Sequence, residues 1–68
     1  MKTLYFVSLY SHRENQWVRI LLTASSAQDA MKDAENYLEN KYWKSKGAIE
    51  VWGAIEVCTT SDDVYLEV

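Results

Sequence analysis

The apolar positions of this 68-residue chain change rhythm twice. Residues 3–10, TLYFVSLY, are rich in β-branched and aromatic types and predict a strand. The polar stretch 11–15, SHREN, reads as a turn, and residues 16–23, QWVRILLT, predict a second strand. The short connection makes the pair a hairpin, with a loop longer than the tightest turns. Side chains alternate along a strand, so Val18, Ile20 and Leu22 share one face while Trp17, Arg19, Leu21 and Thr23 share the other. The first strand is ambiguous: Leu4 and Phe6 compete with Tyr5, Val7 and Leu9 for the inner face.

The period then becomes helical. Ala27, Ala30, Met31, Ala34, Tyr37, Leu38 and Tyr42 form one apolar stripe, and Asp29, Lys32, Asp33, Glu35, Asn36, Glu39 and Asn40 cover the opposite side. Ser25 and Ser26 are both suited to cap the helix, and Gln28 stands where a capping box from Ser25 would place it. Acids lie early and Lys41, Lys44 and Lys46 lie late, which suits the helix dipole; Gly47 is a natural stop. The alanines let the helix backbone lie close against a sheet.

Residues 47–57 read GAIEVWGAIEV, five residues spelled twice around Trp52. The spacing of six is even, so an unbroken strand over 47–58 gives both copies the same orientation. Ile49, Val51, Ile55 and Val57 then face the core; Ala48, Glu50, Trp52, Ala54, Glu56 and Cys58 face outward. Gly53 would allow a bend, a bulge or close approach of the helix. A hairpin at Trp52-Gly53 is the rival reading, without the usual Asn-Gly or Asp-Gly signature. Residues 59–63, TTSDD, predict a turn, and 64–68, VYLEV, a last short strand with Val64, Leu66 and Val68 inward and Tyr65 and Glu67 outward.

The elements run β-β-α-β-β. This is an α+β chain, one domain over 1–68, with a four-stranded, mainly antiparallel sheet and one helix packed on one face. The expected core is Val18, Ile20, Leu22, Met31, Ala34, Leu38, Ile49, Val51, Ile55, Val57, Val64 and Leu66.

Composition narrows the function. One cysteine, Cys58, and one histidine, His12, supply neither an internal disulfide nor a metal-ligand set, and no glycine-rich phosphate loop or nucleophile elbow is present. The expectation is a non-enzyme without metal or cofactor, in a reducing cytoplasm. The N-terminal apolar run is short, is broken by Ser8 and lacks a signal-peptide cleavage pattern, and no stretch reaches the length of a membrane span. Net charge is −3, and residues 47–68 carry Glu50, Glu56, Asp62, Asp63 and Glu67 with no basic residue. That balance disfavours direct nucleic-acid binding there and favours a basic partner.

One helix leaves the second sheet face uncovered. On the predicted register it presents Trp17, Arg19, Leu21, Glu50, Trp52, Glu56, Tyr65 and Glu67, more apolar surface than a small monomer usually leaves in water. Such a face suits a protein partner or a homodimer. Aromatic sheet faces also stack bases in single-stranded RNA-binding modules, but those need basic neighbours, and here Arg19 is outnumbered.

The opening hairpin TLYFVSLY…QWVRILLT runs straight into the alanine-rich helix LTASSAQDAMKDAENYL, and GAIEVWGAIEV and VYLEV close the chain. In length and element order this resembles some type I anti-CRISPR proteins, small inhibitors that phages and mobile elements carry against host defence. The resemblance implies a non-catalytic inhibitor that binds a Cas effector subunit and blocks guide-directed DNA binding or nuclease recruitment. It further implies that Glu50, Glu56, Asp62, Asp63 and Glu67 would meet lysines and arginines that normally hold phosphates, with Trp17, Trp52 and Tyr65 as anchors.

Overall fold

The computed structural model describes residues 1–41 and 48–68. Strands β1 (Lys2–Ser11) and β2 (Gln16–Ala24) form the opening hairpin, helix α1 (Ala27–Lys41) follows, and β3 (Ile49–Thr60) and β4 (Tyr65–Glu67) complete one sheet. The sheet order is β3-β1-β2-β4, and every pairing is antiparallel. The fold is therefore α+β in the order β-β-α-β-β. The central strand β1 separates β2 from β3, which run the same way, so β2-α1-β3 is a split β-α-β crossover.

The hairpin loop is built by its residue types. Asn15 takes the left-handed conformation, φ 52°, which asparagine tolerates better than most residues. The buried Ser11 hydroxyl accepts a hydrogen bond from the Glu14 amide at 3.2 Å. At the helix start, Ser26 is the cap: its Oγ accepts from the Asp29 amide at 3.1 Å and its carbonyl from the Ala30 amide at 3.0 Å. Ser25 instead donates its hydroxyl to the Asp29 carboxylate at 2.8 Å, so Gln28 plays no capping-box part with it. Tyr42, Lys44, Lys46 and the Gly47 stop lie outside the described residues.

The ambiguity in β1 resolves toward Tyr5, Val7 and Leu9. They stand opposite Leu22, Ile20 and Val18 and pack under Ala30, Ala34 and Leu38 of the helix. Ala27, Met31, Tyr37, Ile49, Val51 and Ala54 border this core. The helix touches the sheet through small side chains at its centre, as the alanine stripe requires.

Strand β3 corrects the sequence reading. It is one strand, and no hairpin forms at Trp52-Gly53. Its register against β1 shifts twice, between Ser8 and Leu9 and between Leu4 and Tyr5. Leu9 pairs with Val51 but Ser8 with Gly53, so Trp52 is an extra residue in a bulge; Tyr5 pairs with Glu56 but Leu4 with Cys58, so Val57 is another. One inserted residue reverses the inside-outside alternation. Ile49 and Val51 therefore border the core, whereas Ile55 stands opposite Phe6 on the open face and is 67% exposed. Ile55 and Val57 are not core residues. Space around Gly53 is open, so it is not a point of close helix approach.

Strand β4 is a second correction. Leu66 pairs with Leu21 and faces away from the helix, 55% exposed, while Tyr65 and Glu67 pair with Leu22 and Ile20 and face the helix. The reason is local. On the helix side, β4 meets the flank of α1, where the neighbours are Tyr37, Lys41 and a backbone carbonyl rather than aliphatic core. Segment 61–64 carries the chain from the β3 edge across the ends of β1 and β2 to the far edge. Lys2 pairs with Asp63 there, the Thr60 hydroxyl accepts from the Asp62 amide at 3.2 Å, and Thr23 and Val64 exchange hydrogen bonds.

Candidate interaction surface

The open face of the sheet is assembled from the positions of β1 and β2 that alternate with the core. Leu4, Phe6, Ser8 and Tyr10 stand opposite Thr23, Leu21, Arg19 and Trp17. On the other side of β1 the register adds Cys58, Ile55, Gly53 and Glu50, and β4 adds Leu66. Three bands run across the strands. An apolar band holds Phe6, Leu21, Ile55 and Leu66. A low waist holds Ser8 and Gly53, with Arg19 at its end. An aromatic band holds Tyr10, Trp17 and Trp52.

The aromatic band is tightly knit. Tyr10 and Trp17 rings meet edge-on at 5.2 Å between centroids, and Trp17 and Trp52 meet tilted at 5.3 Å. His12 stands edge-on to Tyr10 at 5.0 Å, and its Nε2 lies 2.9 Å from Glu50 Oε1. Trp52 follows the inward Val51 and stands on this side beside Trp17, 62% exposed, and the bulge there turns Gly53 and Ile55 onto the same side. Below it, Ser8, Trp52, Gly53, Ala54 and Ile55 line a shallow notch of 280 Å³.

Of the residues that the sequence assigns to a partner surface, Trp17, Arg19, Glu50 and Trp52 share the open face. Tyr65, Glu56 and Glu67 do not. The Tyr65 ring meets Tyr37 tilted, 4.9 Å between centroids, and its hydroxyl donates to the Asp33 carbonyl at 3.1 Å. Its pKa is pushed up to about 12, first by burial against the helix, then by the Asp33 charge and by Tyr37. Glu67 accepts from Lys41 Nζ at 2.6 Å, and Lys41 also lies 5.7 Å from the Tyr37 ring centre. Glu56 pairs with Tyr5 and so lies on the helix side of the edge strand. Asp62 and Asp63 sit in the crossing segment, with Asp63 already held by Lys2. The five acids are thus dispersed over two faces and one end. Sequence reasoning missed Phe6, Tyr10, Ile55 and Leu66 as parts of the open face. The signal that would have found Ile55 is Trp52-Gly53 read as a bulge.

Among the described residues no group of three or more His, Cys, Asp or Glu side chains is placed to hold a metal ion, and no helix is long and apolar enough to cross a membrane. Cys58 is a free, exposed thiol. The chain matches no protein-family model, and neither the curated proteins nor the solved structures yield a significant match.

Proposed function

We propose that this chain is a non-catalytic protein-binding module whose open sheet face is the docking surface. In the anti-CRISPR-like reading the partner is a Cas effector subunit, and the module inhibits by occupying a surface that the complex needs. One observation carries the proposal: Trp17, Trp52, Ile55 and Leu66 stand exposed together on a face that the described residues leave uncovered. A rigid sheet presenting aromatic anchors beside a notch has the anatomy of an interaction hot spot. The dispersal of Glu50, Glu56, Asp62, Asp63 and Glu67 favours steric occlusion over a concentrated acidic lure.

The test is capture of defined Cas complexes by the tagged chain, read by mass spectrometry. Stoichiometric recovery of one effector subunit, lost on Trp52→Ala but kept on Glu56→Gln, is the expected outcome. Recovery of no Cas subunit from any complex, with the chain folded, would remove the inhibitor reading.

A further inference from the structure

We infer that a second copy of this chain closes the open face when no foreign partner holds it; the inference rests on reading that face as an interface. Charge is the first argument. The chain carries −3, yet between the Leu4 and Tyr10 rows the open face bears one cation, Arg19, and one anion, Glu50. Two copies meeting there bring no excess of like charge together. A strongly basic or strongly acidic surface would find only one complementary group on it.

The placement of those two charges is the second argument. Arg19 stands beside Ser8 on one flank of β1, and Glu50 stands beside Tyr10 on the other. A twofold axis lying in the interface and crossing β1 between Ser8 and Tyr10 carries each Arg19 onto the Glu50 of the other copy. The Arg19 guanidinium has no ion-pair or hydrogen-bond partner among the described residues, and Glu50 meets His12 through one oxygen only. Both groups therefore have capacity for a new bond.

Shape and size agree. The same axis brings each exposed Trp52 ring over the waist of the other copy, at Ser8 and the notch of 280 Å³. Spaced about 4.8 Å apart, β1, β2 and β3 at about 30 Å or more each and the short β4 at about 10 Å give a flat footprint of roughly 500 Å² before side-chain relief is added. An interface of standard size covers about 800 Å² per partner, so this one belongs to the small, weak class, in keeping with a dimer that dissociates on dilution. The result is an isologous sheet-on-sheet dimer that hides the surface used for binding.

The experiment is light scattering on the purified full chain through a dilution series, with circular dichroism on each variant. The expected mass at high concentration is twice the 7.9 kDa of one chain, falling toward one chain on dilution. Gly53→Leu fills the notch, and its new Cβ meets nothing within 4 Å, so the fold should persist while the dimer is lost. Arg19→Glu and Glu50→Arg should each weaken association by roughly tenfold or more. Mixing these two variants should restore it, because in the mixed dimer one cross-copy pair is the native one and the other reforms with its signs exchanged. A chain that is monomeric at every concentration would overturn the inference, as would a dimer indifferent to all three substitutions. Loss of Cas capture with the dimer intact would sink the inhibitor reading alone.

Discussion

On the helix-covered face, Tyr5, Val7 and Leu9 of β1 stand opposite Leu22, Ile20 and Val18 of β2, and all six are buried. On the other face, Leu4, Phe6 and Tyr10 stand opposite Thr23, Leu21 and Trp17, and none of the six is. The residue types differ little. What differs is a helix whose Ala30, Ala34 and Leu38 close one face and have no counterpart on the other among the described residues. Hydrophobicity alone therefore does not decide what is core in a two-layer domain. Strand β3 repeats the lesson within a dozen residues. Ile49 and Val51 of the first pentapeptide border the core, while Ile55 and Val57 of the second are 67% and 52% exposed.

The sharpest way to break this comparison is to truncate both faces. Leu38→Ala or Ile20→Ala should cost about 3–4 kcal/mol, because each side chain is fully enclosed and leaves a cavity. A domain this small has a margin of about 5 kcal/mol, so these variants should sit near unfolding in denaturant titrations. Ile55→Ala, on the open face, should cost less than about 1 kcal/mol when measured at a dilution where association is absent.

A subtler probe lies where β4 reaches the helix side. Tyr65→Phe removes the hydrogen bond to the Asp33 carbonyl and should cost about 1 kcal/mol near neutral pH. The Tyr65 pKa is raised in the folded state, so its contribution is fully present below the ordinary tyrosine value near 10 and is lost as pH rises toward about 12. Thermal melts across that range should show the wild-type advantage shrinking, and the phenylalanine variant should lack this part of the decline. If Tyr65 instead faced open solvent, the two melting curves would run parallel.

Smaller effects test the turns and the rim. Asn15→Gly should be nearly neutral, because glycine accepts the left-handed conformation, whereas Asn15→Ala should cost about 1 kcal/mol in urea unfolding. Glu67→Gln weakens the contact with Lys41 and should change stability by less than about 1 kcal/mol, with the difference fading at high salt.

Much of this molecule is readable from its residues. The switch from strand to helix at Ser25-Ser26, the alanine stripe and the apolar set Val18, Ile20, Leu22 each point to one local structure, and the fold agrees with them. The failures share a cause. Alternation along a strand is a local rule, and its phase is set by pairing with a neighbour. Nothing within GAIEVWGAIEV states that Trp52 is an extra residue; that appears only when Val51 and Gly53 must meet Leu9 and Ser8. Likewise, Tyr65 and Glu67 look outward by polarity, yet they face a helix flank rich in polar partners. The anchors Trp17 and Trp52 were legible as a surface pair because large rings beside Arg19 and Glu50 fit poorly with a closed core. The scatter of the acids was not, since it depends on strand order.

Equilibrium unfolding of Ile55→Lys at low micromolar concentration tests the central claim most directly. With Ile55 on the open face, the charge stays in water, and the variant should unfold at a denaturant midpoint close to wild type. Were Ile55 inward, as the unbroken alternation of the duplicated pentapeptide implies, an unpaired ammonium would enter the core and the variant would not fold. That result would contradict the bulge at Trp52 and with it the surface on which the proposed function rests.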